Sequence, residues 1–190
     1  NIGILYLEQK DAKKAIEYFR KTQTVARQIP DQNLSQIAMV NIATNYALLN
    51  QLDSALAYVQ TAYDLANNSK SSTTNTLLIS LGNIYYRMGR YSLSLKYYRL
   101  SLPYLKAVEN NRLLSQTYFE MAQVFKGMNR LDSCFYYARQ ALELSQAANN
   151  VKYTFEASSL LSSLYDSTDK NRAYDYFRLA AAAKDSMFSQ

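Results

Sequence analysis

Three short boxes set aromatic rings beside an arginine: "EYFR" at 17–20, "KYYR" at 96–99 and "DYFR" at 175–178. Paired rings next to a guanidinium are one way to stack a planar ligand and clamp its phosphate. The same boxes are also what a longer internal repeat would leave visible. Other chemistry is scarce. The chain has one cysteine, Cys134, and no histidine, which excludes an internal disulfide, Cys/His zinc spacings and histidine acid–base catalysis. The carboxylates Asp53 and Asp132 recur in "NQLDS" and "NRLDS", where a helix-dipole or capping duty suits them better than proton transfer. The sequence holds no glycine-rich phosphate loop, no Ser/His/Asp set and no metal-ligand spacing. No catalytic residue, metal or cofactor is expected.

The elements that must carry these boxes are helices. The chain has 190 residues, 48% of them hydrophobic, with only 4 Gly and 2 Pro. That is too little turn punctuation for an all-β protein and enough apolar surface for a sizeable core. The net charge of +6 is spread along the chain without a basic run, so nucleic-acid binding has little support. No apolar run reaches the length that spans a bilayer, so this chain is not expected to insert in a membrane. It opens at Asn1 inside an apolar periodic pattern rather than at Met, which reads as a fragment or a processed chain.

An internal repeat organises the whole sequence. Tyr18, Tyr58, Tyr97, Tyr137 and Tyr176 are separated by 40, 39, 40 and 39 residues. Tyr6, Tyr46, Tyr85, Phe125 and Tyr165 keep step with them. Three further columns hold only small residues: Gly3, Ala43, Gly82, Ala122, Ser162; Ala15, Ala55, Ser94, Cys134, Ala173; and Thr22, Ala62, Ser101, Ala141, Ala180. Each unit carries two amphipathic stripes, for example Met39, Ile42, Ala43, Tyr46 and then Leu52, Ala55, Leu56, Val59, Ala62, with "LLNQLD" as the turn between them. Small residues opposite large aromatics let antiparallel helices approach closely. The units run about 1–30, 31–70, 71–109, 110–149 and 150–190, a single array. Cys134 sits in an Ala/Ser column and is expected as a buried packing thiol.

The columns resemble the tetratricopeptide repeat pattern, W-x2-L-G-x2-Y…A-x3-F. "LGNIY" at 81–85 and "IGILY" at 2–6 match its first half; Ala15 with Phe19, and Ala173 with Phe177, match its second. The resemblance implies an all-α, right-handed superhelical solenoid of about five antiparallel helix pairs, the first truncated at its N-terminus. There are departures. The tryptophan column reads Met39, Leu78, Tyr118, Ser158, the closing proline is missing, and the period is near 40 rather than 34. The aromatic-to-small spacing across the turn is nine in the first four units and eight in the fifth (165 to 173), so the fifth turn should be one residue shorter. The surplus residues fall between units, with caps from "NNSKSSTTN" (67–75) and "ENN" (109–111). Pro103 is expected to kink the second helix of unit three.

In tetratricopeptide arrays the first helices line a concave face that binds a peptide or an extended protein segment. Carried over by column, that face holds Thr44, Asn83, Gln123 and Ser163 as a hydroxyl and amide row able to bond a peptide backbone. Ile79 and Phe119 belong to a second row, with Val40 and Ser159; Tyr86, Lys126 and Asp166 belong to a third, with Ala47. Tyr86 and Phe119 are the expected apolar anchors. Arg87 and Lys126 are present, but Glu120 and Glu156 adjoin them and no carboxylate clamp is matched. The tyrosine boxes fall on second helices, so Arg20, Gln60, Arg99, Arg139 and Arg178 should point outward as solvated residues. Beside them, Phe19, Val59, Tyr98, Ala138 and Phe177 should form a core column.

The end of the chain, "YFRLAAAAKDSMFSQ" (176–190), looks like the exit of tetratricopeptide sensor regions in membrane-bound regulators of the Bacteroidota type. This implies a protein- or peptide-binding sensor region of a larger regulator, with an extracytoplasmic location favoured over a cytoplasmic one. One rival is a scaffold or homo-oligomer that associates through its open ends. The other is a cytoplasmic peptide-sensing regulator, which normally carries an N-terminal helix-turn-helix not found in this sequence.

Overall fold

The structure, a computed structural model, describes residues 2–28, 32–69 and 74–188; of residues 2–10, 27–28, 32–33 and 67–69 it describes the helical backbone alone. The expectations placed on Gly3, Tyr6, Pro30 and the cap in 70–73 lie outside the described residues. Nine helices follow one another among the described residues: α1 (Ile2–Gln28), α2 (Gln32–Leu48), α3 (Leu52–Ser69), α4 (Thr74–Arg87), α5 (Tyr91–Ala107), α6 (Asn111–Gly127), α7 (Leu131–Ala147), α8 (Val151–Tyr165) and α9 (Lys170–Phe188). The fold is all-α and of the helical-repeat type.

Two compact units divide at 101/102, within α5 and two residues before Pro103. The helix runs on through that proline to Ala107. In residues 1–101, α2 packs on α1 and α3, and the first helices α2 and α4 touch. In residues 102–190, α7 lies between α6 and α8, α9 packs on α8, and the first helices α6 and α8 touch.

Five of the breaks between helices use one device. Asn50, Gly89, Glu109, Asn129 and Asn149 take a left-handed backbone, with φ of 58°, 71°, 51°, 55° and 50°. Each sits just past a helix end, and the two amides there bond back to the last turn: Gln51 N to Tyr46 O and Asn50 N to Ala47 O at 2.9 Å, with the same pair at 89–90, 109–110, 129–130 and 149–150. Asn and Gly tolerate this conformation, and it satisfies carbonyls the helix end would leave open. The Asn110 side chain then caps α6, accepting from Leu113 N at 3.1 Å.

The same register corrects the expectation of five pairs. The counterpart of Asn50, Gly89 and Asn129 in the first unit is Lys10, within "LEQKDAKK". These residues favour helix and offer nothing for a left-handed turn. α1 is accordingly one uninterrupted helix of 27 residues, and the described residues form four pairs plus one helix. The fifth turn is not shorter as expected. α8 stops at Tyr165 and α9 starts at Lys170, a four-residue break against three at 49–51, 88–90 and 128–130. The cause is that α8 ends at its column aromatic while the other first helices run two residues past theirs, and the break lacks the left-handed residue.

Small columns meet inside each pair. Ser94 Oγ donates to the Gly82 carbonyl at 2.8 Å, and Ser162 Oγ to the Ala173 carbonyl at 2.8 Å. Ala43, Ala55, Ala122 and Cys134 are sealed at the equivalent places, and burial pushes the Cys134 thiol up from its ordinary pKa. Around them Val59, Leu77 and Leu81 are fully buried, each such side chain contributing about 1.5–3 kcal/mol relative to exposure. Val59, Tyr98 and Ala138 of the expected core column are also fully buried, but Phe177 is 61% exposed. Among the described residues no helix follows α9 to cover that side.

Gly82 marks the tightest approach. A Cβ built there would stand 2.5 Å from Tyr98 Cε1, because Tyr98 is the largest residue of its column. The Tyr98 hydroxyl ends on Asn83 Oδ1 at 2.5 Å, which fixes the ring. Gly82→Ala gains about 1 kcal/mol of helix propensity and loses more to overpacking, about 1–3 kcal/mol. We expect a net loss of stability, read as a lower urea midpoint; an equal or higher midpoint would show that the ring can move aside.

Candidate functional site

The inner-face residues are held by first helices, and each unit shows them differently. In residues 1–101, Thr44 on α2 is exposed, its hydroxyl turned back to Val40 O at 2.9 Å. On α4, Ile79 is buried and Asn83 is half-buried, its amide oxygen taken by Tyr98. Tyr86 is half-buried with its ring 6.0 Å from that of Tyr91, and Arg87 is exposed in the last turn.

In residues 102–190, Phe119 on α6 is buried, its ring edge-on to Tyr153 at 5.7 Å. Ile79 and Phe119 therefore act as packing residues, and the accessible groups of these rows are mainly polar, with Val40 and Tyr86 half-buried among them. Gln123 is half-buried and Lys126 exposed at the end of α6. Ser163 is exposed, with its hydroxyl on Leu160 O at 2.7 Å, and Asp166 pairs with Lys170 at 2.8 Å. The structure thus puts Phe119, Gln123 and Lys126 on α6, next to α8, which carries Ser163 and leads into Asp166.

The same face holds a group whose state the sequence did not disclose. Burial raises the Glu120 carboxyl to about 7, opposed by Lys152 and reinforced by Glu156. Tyr153 is pushed up as well, by burial and then by Glu120 and Glu156. Near neutral pH the carboxyl is poised between its two forms.

On the second helices the tyrosine boxes form a repeated stack. Tyr58 lies on Tyr46 (5.6 Å), Tyr97 on Tyr85 (5.3 Å), Tyr137 on Phe125 (5.3 Å) and Tyr176 on Tyr165 (5.7 Å), with interplanar angles of 28°, 7°, 8° and 10°. Two of the box arginines are more than solvated charges, which corrects the sequence expectation. Arg20 Nη2 donates to Tyr46 Oη at 2.6 Å, and Arg139 Nη2 donates to Tyr165 Oη. Each reaches from one second helix to a phenol on the next first helix. No Asp, Glu and Cys grouping able to hold a metal occurs among the described residues, and no described helix is long and apolar enough to cross a membrane.

A tandem array of helix hairpins with small columns inside and aromatic stacks outside defines the class of this protein. The chain belongs to the tetratricopeptide repeat family, whose profile matches residues 1–68 and 73–147. It is similar to Tetratricopeptide repeat protein 29 of Trypanosoma brucei brucei, 25% identical over 186 residues, and spans 94% of itself but 39% of that relative. Its fold is also similar to that of aspartyl phosphate phosphatase F from Bacillus subtilis (TM-score 0.78, 20% identity, 94% of this chain and 46% of that one). A third likeness is to the Rap conjugation gene regulator of the plasmid pLS20 in complex with the Phr* peptide (TM-score 0.70, 15% identity, 99% and 61%).

The raised Glu120 pKa has a testable sign. The fold favours the protonated form, so this group's contribution is full below its ordinary value of 4.5, falls as pH rises towards about 7, and stays low above that. Glu120→Gln should match the wild type near pH 4.5 and exceed it at pH 8. The ceiling is on the order of 3 kcal/mol, since each tenfold change in proton affinity is worth about 1.4 kcal/mol. Urea unfolding of both proteins at the two pH values checks this; a pH-independent difference would contradict it.

Proposed function

We propose that this chain is a non-enzymatic binding module for a protein or extended peptide, acting as the sensor or interaction region of a larger regulator. The supporting observation is the make-up of the first-helix faces. Ile79 and Phe119 are sealed. Gln123 and Lys126 remain for a partner, with the Asn83 amide nitrogen as a donor and the Thr44 and Ser163 hydroxyl oxygens, whose protons are used within their helices, as acceptors. Hydroxyl and amide groups can donate and accept together, which suits the alternating donors and acceptors of a peptide backbone. Family membership adds to this, since the tetratricopeptide repeat is an interaction fold. A fold neighbour holding the Phr* peptide makes peptide sensing the form of the proposal best supported.

The regulator reading also places the chain outside the cytoplasm, ahead of a membrane span. Sequencing the gene past the codon for Gln190 tests that part: an apolar segment of about 20 residues is expected, and a stop codon there would refute it.

Binding itself is tested with peptides selected against the protein from a random display library. Gln123→Ala combined with Lys126→Ala should weaken the selected peptides about tenfold and leave the melting temperature within about 2 °C, a surface-substitution effect. Asn83→Ala is a poorer probe, because it removes the acceptor of Tyr98 and costs about 1 kcal/mol of stability. Unchanged affinity in the double variant, measured by fluorescence polarisation, would remove the inner face of α6 from the proposal.

A further inference from the structure

A groove of about 560 Å³ opens along one side of α7 and is closed at its base by the end of α8. Phe135, Tyr136, Arg139 and Gln140 line it from α7 together with two carboxylates, Asp132 at that helix's N-terminal end and Glu143 one turn past Arg139, and Tyr165 and Thr168 stand opposite. It lies wholly within residues 102–190, on the second-helix side and away from the inner face. Its size is that of a small-ligand or side-chain site.

Arg139 lines the groove, and Arg172, outside its lining, meets it through the hydroxyl of the lining residue Tyr165. Tyr165 Oη accepts from Arg139 Nη2 and, at 3.3 Å, from Arg172 Nη1. The Arg172 guanidinium carbon is also 5.5 Å from the Tyr165 ring centroid. A neutral phenol oxygen balances neither charge. Arg172 has Asp169 at 3.2 Å; Arg139 forms no ion pair among the described residues, and Glu143, one turn on, accepts instead from Gln140 at 3.1 Å. A guanidinium has five donors, and the one hydrogen bond to Tyr165 leaves most of those on Arg139 for a ligand. The paired donors draw the phenol below its ordinary pKa, Arg139 more than Arg172. Rings flank the charges: Phe135 tilts against Tyr165 at 4.8 Å, and Tyr136 is 60% exposed.

Unit one provides an internal comparison. Arg20, Tyr46 and Tyr58 repeat the Arg139, Tyr165 and Tyr176 arrangement. There a single arginine meets the phenol and serves as a clasp between repeats. Four residues before the stacked tyrosine the column reads Ser54, Leu93, Ser133 and Arg172. The second guanidinium thus belongs to the last repeat alone.

We propose that this groove is an oxyanion site that takes an acidic or phosphorylated side chain of a protein partner, carried next to an apolar or aromatic residue. Arg139 and Arg172 hold the oxyanion, and Phe135 and Tyr136 hold the neighbouring group. Bidentate guanidinium contacts suit carboxylate and phosphate geometry equally.

The test is a 1H–15N NMR titration of the protein with phenyl phosphate, phenylacetate and, as uncharged control, phenylacetamide. Saturable shifts centred on Arg139, Tyr165 and Arg172 are expected with the two anions and not with the amide. Arg139→Gln and Arg172→Gln should each weaken binding at least about fivefold, and Arg20→Gln should leave it unchanged. Glu143→Gln, which removes a like charge from the groove, should tighten binding about two- to threefold; it decides the matter if an arginine variant fails to fold. The tighter of the two anions identifies the source as phosphate or carboxylate. Non-saturating shifts shared by surface lysines and Arg20, or affinities unaffected by the Arg139, Arg172 and Glu143 substitutions, would overturn the proposal.

Discussion

Close approach of two helices within each pair is the constraint on which the rest of this structure depends. Two columns of small residues face each other across every pair, and a side-chain hydroxyl can then reach a carbonyl of the opposite backbone, as Ser94 reaches Gly82 and Ser162 reaches Ala173. Such contact leaves no room for a larger residue at the crossing. Bulk is displaced to the next position along the helix, where Val59, Tyr98 and Ala138 differ widely in size yet are all fully buried. The variation is tolerated because the facing residue compensates: Gly82 stands opposite Tyr98, while alanine stands in the equivalent columns of units two and four. The glycine is thus the local answer to the largest residue of the column, as a close-packed interior requires.

Outside those columns the aromatic stacks set the spacing between layers. A near-parallel pair of rings recurs at Tyr46 with Tyr58, Tyr85 with Tyr97, Phe125 with Tyr137 and Tyr165 with Tyr176. Each pair joins the end of a first helix to the middle of its second. Rings at this separation attract by dispersion and quadrupole interactions worth about 0.5–1.5 kcal/mol beyond burial. Their hydroxyls remain at the rim, where Arg20 and Arg139 can use them. The tyrosine-rich composition is thus a structural matter first. A binding opportunity arises where a second arginine joins the same phenol.

Much of the fold was legible because periodicity survives in one sequence. The aromatic and small columns located the pairs and the buried place of Cys134, but the spacing of eight in the last unit did not reveal that α8 ends early and leaves a longer break. The missing turn in α1 was legible too, at Lys10, to a reader comparing that position with Asn50, Gly89 and Asn129. What stayed hidden depends on reach. Arg20 to Tyr46 and Arg139 to Tyr165 each join residues 26 apart, across a turn whose geometry no column records. Phe177 matched its column in type and still lies exposed, because a column gives register and not what covers it. The inner rows were named by register alone, and register did not reveal that Ile79 and Phe119 are sealed. Nor did it show that Glu120 is desolvated.

Desolvation of Glu120 and convergence of Arg139 with Arg172 are the same physical situation with opposite signs. In both, the fold holds like charges near one another with only partial compensation, from Lys152 beside Glu120 and from Asp169 beside Arg172. On α6 and α8 the cost is met by protonation, since a carboxyl can take up a proton near neutrality. Arginine has no such recourse, because its guanidinium stays charged throughout the accessible pH range. Charge around Tyr165 can be relieved only by a counter-charge, of which Asp169 supplies one. A carboxylic site can rest empty and neutral, whereas a paired-guanidinium site keeps its attraction for an anion at every working pH. That asymmetry is why the groove beside α7 supports a ligand proposal and the acidic pair on the inner face does not.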